Sequence, residues 1–138
     1  MEREHPMKEL QRITYVEDEP HIREIVQLAL EELGGFKLHV CESGMEALDT
    51  VPVFHPDLVL LDVMMPEMNG VQTFRSLRQI PGLVNTPIIF VTAKAQKHEI
   101  QQYKALGAAD VIPKPFDPVS LPAEIQAIWE RTQTSHVH

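Results

Sequence analysis

The chain has 138 residues and carries 20 acidic against 12 basic side chains, a formal net charge of −8. This length supports one domain with a real core, and the negative balance argues against sequence-independent nucleic-acid binding and against attraction to an anionic membrane. The single cysteine, Cys41, excludes an internal disulfide framework. Residues 1–6 are charged and lack the apolar core of a signal peptide, and no apolar run reaches the ~18–20 residues of a membrane-spanning helix. The expected location is the cytoplasm.

Charge is unevenly spread. The first 69 residues hold 15 acidic and 5 basic side chains, whereas the remainder hold 5 and 7. An acidic first half points to a cation site and a basic second half to a separate partner surface, although such a run is commonly just a solvated face.

Apolar runs alternate with helical patterns along the chain. Ile13–Val16 is short and β-rich and runs into an acidic cluster. From Pro20, apolar residues at Ile22, Ile25, Val26, Ala29, Leu30 and Leu33 line one helical face, with Gly34 and Gly35 as a stop. Leu38–Cys41 reads as a second strand. Met45, Ala47, Leu48 and Val51 fit a short helix expected to end at Pro52. Leu58–Leu61 is continuously apolar, as in strands buried on both faces of a parallel sheet. Gly70 opens a helix carrying Val71, Phe74 and Leu77, ended by Pro81-Gly82. Pro87–Val91 is another buried strand. Ile100, Tyr103 and Leu106 mark a fourth helix closed by Gly107, and Val111-Ile112 a fifth strand. Leu121, Ile125, Ile128 and Trp129 share one face of a last helix. Five βα units with short connections give a doubly wound parallel sheet. One domain over 10–131 is expected, with flexible ends at 1–9 and 132–138.

In open α/β sheets, ligands bind beyond the carboxyl ends of the strands. The residues there are Glu17, Asp18 and Glu19 after the first strand, Asp62 after the third, Thr92 after the fourth and Lys114 after the fifth. Clustered carboxylates repel one another and call for a cation; an oxygen-only donor set favours Mg²⁺, with Mn²⁺ or Ca²⁺ as substitutes, over zinc. A lysine and a threonine beside such a site suit the oxygens of a transferring phosphoryl group, and an aspartate can itself be the nucleophile. Taken singly, Thr92 reads as an ordinary strand end and Lys114 as a solvated lysine; their placement promotes them. Phosphoryl transfer onto a protein carboxylate is the chemistry to expect.

The motifs Val16-Glu17-Asp18-Glu19-Pro20, Leu60-Leu61-Asp62-Val63-Met64-Met65-Pro66-Glu67-Met68-Asn69-Gly70, Ile89-Phe90-Val91-Thr92-Ala93-Lys94 and Pro113-Lys114-Pro115-Phe116 follow in order. On these the chain resembles the receiver domain of two-component response regulators over about residues 10–131. The resemblance implies a flavodoxin-like five-stranded sheet of order 2-1-3-4-5, a chemotaxis-regulator-like switch, and Asp62 as phosphoacceptor. It implies Mg²⁺ held by Glu17, Asp18, Asp62 and the backbone carbonyl of Met64. Thr92 and Lys114 would contact the phosphoryl group, and the Lys114-Pro115 bond would be cis. Met64 and Lys94 match positions that tune dephosphorylation in the family.

Two residues depart from the family pattern. Its acidic pair is usually two aspartates, and here the first is Glu17, whose extra methylene shifts the carboxylate. Its fifth strand often carries Tyr or Phe where this chain has Val111, which cannot act as an aromatic rotor. The implied partners are a histidine kinase or histidine phosphotransfer protein and, through the face formed by residues 97–131 with Lys97, Tyr103 and Lys104, a downstream protein or a second copy. A receiver of this kind catalyses only its own phosphorylation and dephosphorylation, and is either stand-alone or part of a longer protein.

Other readings fit less well. An aspartate-nucleophile phosphatase needs an acid/base carboxylate two residues after the nucleophile, where Met64 stands. A flavin-binding domain needs a phosphate loop after the first strand, where Glu17-Asp18-Glu19 would repel phosphate. A phosphorylation-independent interaction module is the remaining alternative. His5, His21, His39, His55 and His98 show no ligand spacing, and His136 and His138 form a tail pair.

Overall fold

Each apolar run becomes a strand of one parallel sheet. The computed structural model describes residues 8–135, with strands β1 (Arg12–Val16), β2 (Lys37–Cys41), β3 (Leu58–Asp62), β4 (Ile88–Thr92) and β5 (Asp110–Pro113). Between and after them run helices α1 (Pro20–Leu28), α2 (Gly44–Phe54), α3 (Gly70–Arg78), α4 (Lys97–Leu106) and α5 (Leu121–Ser135). The strand order is β2-β1-β3-β4-β5, so the chain reverses its direction of travel across the sheet after β2. That switch point lies between β1 and β3, where a ligand crevice forms.

Side-chain alternation builds two cores. Val16, Val59, Leu61, Ile88, Phe90 and Val111 face α2, α3 and α4, meeting Ala47, Val51, Phe74, Leu77 and Tyr103. Ile13, Tyr15, Leu58, Leu60, Ile89, Val91 and Ile112 face α1 and α5, meeting Val26, Leu30, Leu121, Ile125 and Trp129. Every residue of β3 and of β4 is buried. Two-sided burial is why those runs are continuously apolar. Each fully buried aliphatic or aromatic side chain contributes about 1.5–3 kcal/mol.

Local signals set the helix ends. Pro20 occupies the first turn of α1, and the Glu19 side chain caps it by accepting from the His21 N–H. Asn69 and Gln72 form a reciprocal capping box on α3. Gly107 closes α4 at φ +116°, a backbone region that disfavours a side chain.

Three local features differ from expectation. The last turn of the first helical pattern, Ala29–Leu33, is wound as a π-helix. Pro52 does not end α2, which continues to Phe54. Pro52 has no N–H to offer the Leu48 carbonyl, so α2 runs on for two residues with one bond of its last turn missing. His55 closes the helix in the left-handed region, and the Arg12 guanidinium donates to the exposed carbonyls of Phe54 and His55. Near the ends, residues 1–7 and 136–138, with His5, His136 and His138, lie outside the described residues. Leu10 is nevertheless part of the core, the Trp129 indole N–H donates to the Lys8 carbonyl at 3.0 Å, and α5 extends to Ser135.

Candidate functional site

Parallel pairing brings four strand ends to one edge of the sheet. Glu17 continues β1, with its backbone N–H donating to the Cys41 carbonyl at 3.0 Å. Asp62 is the last residue of β3, and the next N–H, of Val63, donates to Val91 at 3.2 Å. Thr92 ends β4, and Lys114 follows β5 with its N–H on the Thr92 carbonyl at 2.8 Å. The Lys114-Pro115 bond is cis.

The side chains converge. Carboxylate oxygens of Glu17, Asp18 and Asp62 lie within 4.8 Å of one another. Glu17 and Asp62 are each 1% exposed, whereas Asp18 faces solvent. The Lys114 ammonium bridges the two buried acids, 2.9 Å from Glu17 Oε1 and 3.1 Å from Asp62 Oδ1. Thr92 is fully buried, and its Oγ1 accepts from the Lys94 N–H at 2.9 Å. Met64 lies in the loop after β3 with its side chain half exposed. Gly70 permits this loop to fold back: its N–H donates to the Val63 carbonyl at 2.9 Å, and a Cβ there would lie 2.3 Å from the Asp62 carbonyl oxygen.

Burial and then the charge of Glu17 push the Asp62 carboxyl up from 3.8 to about 7, against the pull of Lys114. Burial works to lower the Lys114 pKa, but hydrogen bonds and charge from Glu17 and Asp62 outweigh it and hold the ammonium protonated. Two buried carboxylates therefore share one ammonium with a third carboxylate beside them, and the local charge remains negative. All the donors are hard oxygens, which fits a divalent cation of the Mg²⁺ class. Among the described residues, no histidine joins such a cluster.

Two further residues enter the site that the sequence reading did not assign to it. Tyr15, fully buried on β1, donates its hydroxyl hydrogen to Glu17 Oε1 at 2.8 Å. Burial and the Glu17 charge raise its pKa, so it is a neutral donor. The available signal was the two-residue strand period, which puts positions 15 and 17 on one face. Tyr103 of α4, read as a helix-marking apolar position and as part of the output face, is 8% exposed and packs edge-on against Phe90, with ring centroids 5.2 Å apart. Burial raises its phenol pKa, while the neighbouring Thr92 hydroxyl opposes the rise. An α4 aromatic thus reaches Thr92 where β5 offers only Val111.

The geometry agrees with the sequence comparisons. The sequence profile of the response regulator receiver domain matches residues 13–126. The chain belongs to the response regulator receiver domain family. This receiver domain is 36% identical over 120 residues to the response regulator Rre1 of Synechocystis sp., covering 87% of the chain and 52% of that protein. It is 38% identical over 120 residues to the phosphate regulon transcriptional regulatory protein PhoB of Pseudomonas aeruginosa, again covering 87% and 52%. The chain thus spans about half the length of these curated relatives. Among solved structures, the Vibrio cholerae chemotaxis protein CheY4 superposes with a TM-score of 0.80 at 28% identity, covering 87% of this chain and 99% of that one. The Francisella response regulator 1452 receiver domain gives 0.79 at 25% identity, covering 88% and 98%. Receiver domains are signalling switches whose general function is control by phosphorylation, not turnover of an outside substrate. Among the described residues, no helix is long and apolar enough to cross a membrane.

Proposed function

We propose that Asp62 is the phosphoacceptor of this switch. A carboxylate oxygen of Asp62 forms the new O–P bond as the P–N bond of a donor phosphohistidine breaks; the imidazole keeps the electron pair and takes up a proton. The donor is a histidine kinase or a histidine phosphotransfer protein, met in the cytoplasm. Lys114 turns from the Asp62 carboxylate to a phosphoryl oxygen, and Thr92 donates its hydroxyl hydrogen to another. Glu17, Asp18, Asp62 and the Met64 carbonyl would hold Mg²⁺, which supplies positive charge beside the transferring oxygens. The observation that carries this reading is the Lys114 bridge between two buried carboxylates at the sheet's crevice.

The acyl phosphate adds charge where Thr92 and Lys114 sit, which biases the adjoining helix and strand. Output then runs through α4, β5 and α5 to a downstream protein or a second copy, without direct contact to nucleic acid. The packing of Tyr103 on Phe90, two residues before Thr92 on β4, supports α4 as the element that responds.

The test is intact-protein mass after incubation with acetyl phosphate and Mg²⁺, with Asp62→Asn and a chelator as controls. One phosphoryl adduct, lost in both controls, is expected. No adduct under any condition would replace this reading with a phosphorylation-independent interaction module.

A further inference from the structure

Glu17 is held on more sides than a metal ligand needs. A carboxylate offers about four lone-pair sites, two on each oxygen. Oε1 accepts from the Tyr15 hydroxyl at 2.8 Å and from Lys114 Nζ at 2.9 Å, which fills it. Oε2 accepts from the Glu19 N–H at 3.2 Å and keeps one site open. The carboxylate is therefore turned so that Oε2 is the oxygen left for a cation shared with Asp18 and Asp62.

The length of the side chain matters to this arrangement. Tyr15 is rigid, fully buried and flanked in the sheet by Val40 and Leu60, so its hydroxyl cannot follow a retreating partner. An aspartate at position 17 ends one C–C bond, ~1.5 Å, closer to the backbone. It would leave the phenol without its acceptor and the carboxylate without its pin.

Resting on the site reading above, we infer that Tyr15 is a positioning residue for the cation site, and that Tyr15 and Glu17 act as one matched pair. The phenol orients the glutamate, and the extra methylene of glutamate exists in this site to reach the phenol. Groups that orient a metal ligand through a hydrogen bond typically change metal affinity by about 10-fold or more when removed.

The test is a double-mutant cycle on Mg²⁺ affinity, measured on the full chain by titration calorimetry in the absence of phosphodonor. Tyr15→Phe keeps the ring and its packing. It is expected to weaken Mg²⁺ binding about 10-fold in the Glu17 background and less than about 2-fold in the Glu17→Asp background. Glu17→Asp alone is expected to lose about as much as Tyr15→Phe, although it keeps all three carboxylates, and this arm stands even if Tyr15→Phe does not fold. Equal losses from Tyr15→Phe in both backgrounds, or none in either, would overturn the pairing. In that event, an Asp62 adduct with acetyl phosphate and Mg²⁺ leaves the site reading intact; absence of both adduct and Mg²⁺ binding overturns the two together.

Discussion

Replacing Asp62 with asparagine should stabilise the metal-free fold at alkaline pH. In the native state the Asp62 carboxyl ionises at about 7, against 3.8 ordinarily, because it is buried and faces Glu17. Between those values the folded protein keeps a proton that the unfolded chain has released. Stability therefore falls as pH rises through this window. At pH 8 the accumulated loss is at most about 4 kcal/mol, and at pH 4 it is under about 1 kcal/mol. Asparagine has no proton to lose and keeps a side-chain oxygen that accepts from Lys114, which also retains Glu17. Asp62→Asn is accordingly expected to gain about 2–4 kcal/mol at pH 8 and little at pH 4, read by urea denaturation with circular dichroism in the presence of chelator. Added Mg²⁺ should stabilise the wild type at pH 8 more than the variant, since the variant lacks one of the three clustered carboxylates. An equal gain at both pH values, or a loss at pH 8, would refute the view that the clustered charge destabilises the resting fold.

Two other outcomes follow from the scaffold. Burial would raise the Asp57 pKa, but the N–H groups of Arg12 and Gln11 and the Lys8 ammonium outweigh it and hold this carboxyl below its usual value. Its contribution is thus present at neutral pH and lost as pH falls through the lowered value; Asp57→Asn should cost about 1–3 kcal/mol at pH 7 and progressively less in acid, by denaturant titration at both pH values. Gly70→Ala would force a Cβ to 2.3 Å from the Asp62 carbonyl oxygen and 2.6 Å from the Val63 Cα, both backbone, so a loss of about 3 kcal/mol with weakened Mg²⁺ binding is expected, by thermal melting and calorimetry. A neutral Gly70→Ala would show that the loop after β3 yields freely.

Periodicity along the chain is enough to order the strands and helices and to place residues at the strand ends. Two-sided burial of a central strand demands a continuous apolar run, and Leu58–Leu61 and Ile88–Val91 carry one. Because a parallel sheet aligns its carboxyl ends, Glu17, Asp62, Thr92 and Lys114 were bound to converge once the strands were placed. What no local pattern held was the partner of each side chain across the sheet. Arg12 sits 42 residues from the Phe54 carbonyl it caps, so Pro52 looked like a stop while the support that extends α2 lay in another element. The Trp129 indole N–H bonds the Lys8 carbonyl across 121 residues, within the stretch 1–9 expected as a flexible end. Tyr103 reads along α4 as one more apolar position, and its meeting with Thr92 exists only because α4 packs over β4. Tyr15 and Glu17 are two residues apart, yet the oxygen on which they meet, Glu17 Oε1, also accepts from Lys114, 97 residues away from Glu17 in the chain. Backbone periodicity is a local property and was legible; the choice of hydrogen-bond partner for a buried polar group is settled by whichever elements the fold brings within 3 Å of it.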